Sequence, residues 1–236
     1  MTAQPRRAGA AGVDGGLSRL PLFAALDDED TALLESALTT RKVPRGHVVF
    51  REGDAGDRLF VVLDGKVKIY RSAADGRENL LAVLGAGDMF GELSLFDPGP
   101  RTASVSAVTQ SRLASLDHDD LRPFLLERPA VAAQLLQALA QRLRRTNESL
   151  ADLVFTAVPG RVAKALLDLA EKFGTEVADG TRVQHDLTQE ELAQLVGASR
   201  ETVNKALSEF ASRGWIRLEG RTVLLLDRDR LVRRAR

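Results

Sequence analysis

The chain has no cysteine. That absence excludes disulfides, thiolate zinc sites, cysteine-ligated iron–sulfur clusters and cysteine nucleophiles together. Histidine is scarce: His47, His118 and His185 stand too far apart for an HxxxH-type metal motif. No Ser/His/Asp triad and no Walker loop can be read, so no catalytic residue, no metal site and no enzyme activity are expected. No apolar run approaches the roughly 18 residues that span a bilayer, so no membrane contact is expected. Residues 1–16 carry two arginines but no apolar stretch, and read as a disordered arm rather than a secretory signal. A chain without cysteine or membrane span fits the reducing cytoplasm. Net charge is absent too, since 33 Lys+Arg balance 33 Asp+Glu.

That balance hides an uneven distribution. From Ser199 to Arg236 there are ten Lys/Arg against five Asp/Glu, so the preceding part is acidic on balance. A basic tail on a neutral chain marks either a nucleic-acid surface or a solvated terminus. Hydrophobic residues make up 44% of 236, enough for one large core or two small ones.

Three textures follow one another. From about Leu17 to Leu116 short apolar runs alternate with turns such as Glu52-Gly53-Asp54, Asp64-Gly65, Asp75-Gly76 and Gly85-Ala86-Gly87-Asp88. The runs are His47–Phe50, Leu59–Leu63, Val67–Tyr70, Leu80–Leu84, Ala103–Ala107 and Arg112–Asp117. Their spacing predicts a β-sandwich or barrel, preceded by a short amphipathic helix over Asp27–Leu38. The second texture, Asp119 to about Phe155, is helical, with Pro129 suited to a first turn. Leu136, Leu139, Leu143, Thr146, Leu150 and Leu153 follow in steps of 3, 4, 3, 4 and 3, a heptad seam. A helix of roughly 35–40 Å with one apolar stripe implies a two-stranded coiled coil in a homodimer, the alternative being packing on the chain's own β-domain. Thr146, followed by Asn147, is the polar interruption of that seam. The third texture begins near Val158-Pro159, after a candidate hinge at Val154–Val158, and its first helix, Arg161–Phe173, stops at Gly174.

Within the third texture, Thr188-Gln189-Glu190-Glu191 is a capping box opening a helix to Val196. Gly197-Ala198 makes a tight turn, and Ser199 caps a second helix from Arg200 to about Ser212. Val203, Ala206, Leu207 and Phe210 form its inner face; Arg200, Glu201, Asn204, Lys205 and Ser208 form the outer one. Two short helices around a Gly-containing turn make a helix-turn-helix whose second helix suits a major groove. Arg and Lys donate to guanine, Glu accepts from cytosine and Asn reads adenine. Ser199, Thr202 and the helix N-terminus suit phosphates, and Thr188 and Gln189 are further candidate DNA contacts. Trp215–Leu218 and Thr222–Leu226 read as a β-hairpin wing, with Trp215 in its core.

Residues 91–102 are Gly-Glu-Leu-Ser-Leu-Phe-Asp-Pro-Gly-Pro-Arg-Thr. Arg101 offers a fixed fork of donors and a permanent charge for a cyclic phosphodiester. Thr102 adds a hydroxyl and an N–H. Glu92 is an acceptor for a ribose 2′-hydroxyl, and Glu92–Phe96 can form one helical turn. Gly91 permits close backbone approach. A purely structural Glu92–Arg101 salt bridge is the alternative. This stretch resembles the phosphate-binding cassette of cyclic-nucleotide-binding domains, and the chain from about Leu17 resembles the Crp/Fnr family of bacterial transcription regulators. Leu187–Ile216, with Gly-Ala-Ser-Arg-Glu-Thr-Val at 197–203, resembles the Crp branch, its actinobacterial type above all.

The resemblance implies an α+β chain: arm 1–16, a β-roll (jelly-roll) nucleotide-binding domain 17–128, a dimerisation helix 129–156 and a winged helix-turn-helix 157–236. It implies that Gly91, Glu92, Leu93, Arg101 and Thr102 bind cyclic AMP, ahead of cyclic GMP, with Thr146 and Asn147 meeting the adenine, one from each subunit. Asn147 stands where the best-known cyclic-AMP member has serine, and Lys205 where it has arginine, while Arg200 and Glu201 match. It further implies a homodimer on palindromic double-stranded DNA, with RNA polymerase as a partner when activating. Clustered cysteines of an oxygen-sensing branch are lacking, and His118, ahead of the central helix, reads as a surface residue rather than a haem ligand. Two other readings stand beside this one: a constitutive DNA binder with a structural pocket, and a nucleotide-binding subunit whose helix-turn-helix grips a protein.

Overall fold

The computed structural model describes residues 28–73 and 75–235; the expected arm lies outside them. Two four-stranded antiparallel sheets form the first domain, in the orders β1-β8-β3-β6 and β2-β7-β4-β5. Their strands are β1 (Thr39–Val43), β2 (Val48–Phe50), β3 (Arg58–Asp64), β4 (Val67–Ser72), β5 (Glu78–Leu84), β6 (Met89–Phe90), β7 (Ser104–Ala107) and β8 (Ser111–Asp117). This is the expected β-roll.

Strand β3 explains the layering. Leu59 to Val62 are all buried, without the alternation of a strand wetted on one face. Phe60 and Val62 point between the sheets, with Val67, Phe90, Val105 and Leu113. Leu59 and Val61 point the other way, into a layer with Leu34, Leu121, Phe124, Val131 and Leu135. That layer comes from α1 (Asp28–Ala37), α3 (His118–Glu127) and α4 (Pro129–Phe155). An ion pair from Arg128 to Asp30 ties the first helix to the others. Arg128 breaks the helical run between α3 and α4, with φ −129° and ψ 77°, because the ring of Pro129 disfavours helical geometry before it.

Helix α4 spans 27 residues. Its first turns are anchored by Val131 and Leu135. Beyond them Leu136, Leu143, Leu150 and Leu153 are each at least half exposed, and Leu139 is half-buried. The chain's own β-domain therefore leaves most of the seam uncovered.

After Thr156-Ala157 the chain enters α5 (Val158–Phe173), then β9 (Gly174–Val177), β10 (Gly180–Gln184), α6 (Gln189–Val196), α7 (Arg200–Ser212), β11 (Ile216–Glu219), β12 (Thr222–Leu225) and α8 (Arg228–Arg234). A core of Val162, Leu166, Val196, Val203, Phe210 and Leu225 joins them. The expected hairpin wing is present but belongs to a larger sheet, ordered β11-β12-β10-β9. Trp215 stacks on Phe210 at 5.3 Å between ring centres.

Candidate nucleotide pocket and nucleic-acid interface

The cassette lies where β6 ends. Gly91 has φ +80°, and a Cβ there would lie 2.8 Å from Arg101 Nη1 and 2.9 Å from the Arg58 carbonyl oxygen. Only glycine allows that approach at that angle. Glu92 precedes the single-turn helix α2 (Leu93–Phe96) as its N-cap residue. Leu93 and Phe96 are about half exposed.

Arg101 is 6% exposed. Its Nη1 donates to the Gly91 carbonyl at 2.9 Å and to Ser94 Oγ at 3.1 Å, and its Nη2 to the Arg58 carbonyl at 2.9 Å. The guanidinium carbon lies 4.3 Å from the Phe50 ring centre, a cation–π contact. Burial pulls this guanidinium below its ordinary pKa, against the opposing charges of Asp57, Glu92 and Asp54. Arg101 Nε is buried without a hydrogen-bond partner among the described residues. Thr102 is exposed beside it.

Glu92 is 1% exposed, and its ion-pair partner is Arg142 of α4, not Arg101. Arg142 Nη1 reaches Glu92 Oε1 at 2.5 Å, and Nη2 donates to the Met89 carbonyl at 2.6 Å. The second carboxylate oxygen, Oε2, is buried with no partner among the described residues. Such an orphaned acceptor costs free energy unless a donor meets it, and a sugar hydroxyl is such a donor. Sequence reasoning missed Arg142 because nothing in Gln-Arg-Leu-Arg-Arg distinguishes it from its neighbours; only the helix's placement brings it over the cassette. Thr146, one turn on, donates its hydroxyl to the Arg142 carbonyl at 3.0 Å, and both Thr146 and Asn147 are exposed.

His118 departs from the surface reading. It is half-buried, and its Nε2 is buried. Burial, and after it the Arg101 charge, hold its imidazole below the ordinary pKa. Its placement at the start of α3, against the cassette, comes from the β8–α3 junction, where its backbone N–H donates to the Asp57 carbonyl.

The second candidate surface is built from caps. Thr188 Oγ1 accepts from the Glu191 N–H at 3.1 Å, and Glu191 Oε2 accepts from the Thr188 N–H at 2.8 Å. Gly197 ends α6 at φ +69°, ψ +45°. Ser199 Oγ accepts from the Thr202 N–H at 3.2 Å. On α7, Val203, Ala206, Leu207 and Phe210 are buried while Arg200, Glu201, Thr202 and Lys205 are exposed, as is Gln189 on α6. Asn204 sits at the margin of that face, half-buried, with Oδ1 unpartnered among the described residues. Arg161 ties the assembly to the break between α4 and α5, which is only Thr156-Ala157 because Val154, Phe155 and Val158 of the candidate hinge are helical: Nε donates to the Val196 carbonyl at 3.0 Å, Nη2 to that of Gly197 at 3.0 Å and Nη1 to that of Thr156 at 2.9 Å.

Residues 40–128 match the cyclic nucleotide-binding domain, and residues 160–234 match the Crp-like helix-turn-helix domain. The chain is 59% identical over 224 residues to the CRP-like cAMP-activated global transcriptional regulator of Mycobacterium tuberculosis, covering 95% of this chain and 100% of that one. The chain belongs to the Crp/Fnr family. The cyclic AMP receptor protein of Thermus thermophilus is 39% identical over 203 residues, 86% of this chain and 91% of that one. Among solved structures, the c-di-GMP responsive global regulator CLP of Xanthomonas campestris superposes with a TM-score of 0.70 at 29% identity, covering 84% of this chain and 99% of that one. No cluster of metal-ligating side chains occurs among the described residues, and no helix there is long and apolar enough to cross a membrane.

Proposed function

We propose that this member of the family is a cytoplasmic transcription regulator, not an enzyme, that binds cyclic AMP and, as a homodimer, palindromic double-stranded DNA. The observation that carries the ligand half is the buried carboxylate of Glu92. One of its oxygens is engaged by Arg142 and the other has no donor among the described residues, nine residues from a buried arginine whose Nε is likewise unpartnered among them. In this reading Glu92 accepts from the ribose hydroxyl, and Arg101 and Thr102 hold the phosphate. Gly91 and Leu93 line the approach. Thr146 and Asn147 face the base from the two subunits, and the relatives' names support cyclic AMP over cyclic GMP. The seam of Leu136, Leu139, Leu143, Leu150 and Leu153 is covered by a second copy. Arg200, Glu201, Asn204 and Lys205 read base edges, while Thr188, Gln189, Ser199 and Thr202 hold phosphates. RNA polymerase is the further partner at activated promoters.

One observation favours a second reading, constitutive DNA binding. Glu92 and Arg101 have protein partners without nucleotide, and the reading face is already exposed. Fluorescence anisotropy on a palindromic duplex at fixed salt, without nucleotide, with cyclic AMP and with cyclic GMP, separates the two. A gain of tenfold or more with cyclic AMP, about 1.4 kcal/mol of coupling, supports the gated regulator. Tight binding indifferent to both nucleotides overturns it in favour of the second reading. Equal affinity for palindromic and random duplexes overturns both.

A further inference from the structure

The helix-turn-helix domain is docked on its own β-roll through a built contact. Leu187, in the turn between β10 and α6, is 1% exposed and packs among Tyr70, Leu80, Val83 and Val108 of the β-roll. Two lysines of the β-roll flank this plug. Lys66, in the turn after β3, donates through Nζ to the Gln184 carbonyl and to Asp186 Oδ2, both at 2.5 Å, and lies 4.9 Å from the Phe173 ring centre. Lys68, on β4, reaches Glu191 Oε1 at 2.8 Å.

The four charged side chains in these two pairs are only 14–18% exposed. Exposed ion pairs contribute little, whereas removing one member of a largely buried pair leaves the other's desolvation uncompensated. Both pairs grip parts of the chain that need holding. Asp186 is the one non-glycine residue with positive φ, +61°, among the described residues. Glu191 is the third residue of α6 and also completes its capping box. Burial would raise the Glu191 carboxyl, yet its bonds to Lys68 and Thr188 hold it below the ordinary range. The lysines therefore fix the entry and first turn of the helix-turn-helix, while the outer face of α7 stays open to solvent.

We infer that Lys66 and Lys68 are positioning residues for DNA recognition: without touching DNA, they set the angle at which the β-roll presents the recognition helix. The inference rests on the DNA-binding reading above. It assigns the docked arrangement to the DNA-competent state, since the contact buries the back of the motif and leaves its reading face free.

The test uses the full-length protein saturated with cyclic AMP and a palindromic duplex selected by the wild type from random sequence. Lys66→Met and Lys68→Met retain apolar stems and lose the charge; Asp186→Asn keeps a residue that tolerates the left-handed backbone. Each variant is expected to lose tenfold or more in affinity for the selected duplex. The Lys66→Met/Asp186→Asn double variant should lose no more than either single one. Affinity for random duplex at low salt and for cyclic AMP should stay within about twofold of wild type, which a merely misfolded variant would not preserve. Unchanged affinity for the selected duplex would make the contact idle and overturn the inference. Increased affinity would overturn it by making the contact a restraint. Additive losses in the double variant would also overturn it, by showing that the two residues do not act through each other. A wild type that prefers no palindrome overturns the DNA-binding reading and this one together.

Discussion

Arg142 of the central helix meets the Glu92 carboxylate of the β-roll at 2.5 Å, joining two elements fifty residues apart in the chain. Glu92 is 1% exposed and Arg142 about a third exposed, so it is the carboxylate that water does not reach. Arg142→Gln should therefore cost about 3 kcal/mol, chiefly from the carboxylate left behind. Glu92→Gln combined with Arg142→Gln should recover most of that loss. Urea midpoints for wild type, both single variants and the double variant, at constant m-value, give the coupling directly.

Arg101→Lys keeps the charge and removes the fork. One ammonium cannot reproduce three hydrogen bonds directed at Gly91, Ser94 and Arg58 together with the contact on Phe50. Cyclic-nucleotide affinity should fall about 10–100-fold, measured by displacement of a fluorescent analogue, while binding to random duplex is unchanged.

Gly91→Ala meets both objections at once: a left-handed backbone and a Cβ within 3 Å of two atoms. Loss of stability by about 1–3 kcal/mol is expected. Ligand affinity should drop with it, because the methyl presses on Arg101. Calorimetric melting with and without cyclic AMP reads both effects.

Arg200→Ala should cost about 1–3 kcal/mol at one base pair and relax preference there. Affinity across a set of duplexes substituted position by position is the measurement. Uniform weakening across the set would instead make Arg200 a phosphate contact.

His185 supplies a pH dependence. It is 3% exposed, and its Nδ1 accepts from the Leu187 N–H at 3.1 Å, so the neutral ring is the folded form. Burial lowers its pKa to about 4, against roughly 6.5 for a free imidazole. Between those values the unfolded chain binds the extra proton. Stability is thus full above about pH 6.5 and declines as pH falls toward 4, by about 3 kcal/mol at most. His185→Asn, whose side-chain oxygen can accept the same N–H, should flatten that part of the stability–pH curve.

The motifs readable from sequence are those whose chemistry is local. Thr188 and Glu191 announce a helix start because a capping box closes within four residues, and the fold forms those hydrogen bonds. The turns of the β-roll announce themselves because Gly and Asp are needed where the backbone reverses. Edge strand β1 was not readable, since Thr-Thr-Arg-Lys-Val buries only Val43 and carries no alternation. Strand β9 buries nothing. Helix α8 hides in what reads as a basic tail, although Asp227 caps it and Leu231 is fully buried. Within the cassette, residue types pointed to Glu92 and Arg101. Their partners are tertiary, however: Arg142, Arg58 and Phe50 are 50, 43 and 51 residues away from the groups they meet. No spacing rule reaches that far.

The three carbonyls held by Arg161 have a mechanical consequence. Thr156 lies between α4 and α5, whereas Val196 and Gly197 lie at the end of α6 and in the turn before α7. One planar group grips all three, so the turn before α7 is tied to the exit of α4 at the very start of α5. The other end of α5 is tied to the β-roll, where Lys172 Nζ donates to Asp88 Oδ2 at 3.1 Å. Helix α5 is thereby clamped at both ends, and a change in the direction of α4 reaches the turn before α7 through a single guanidinium.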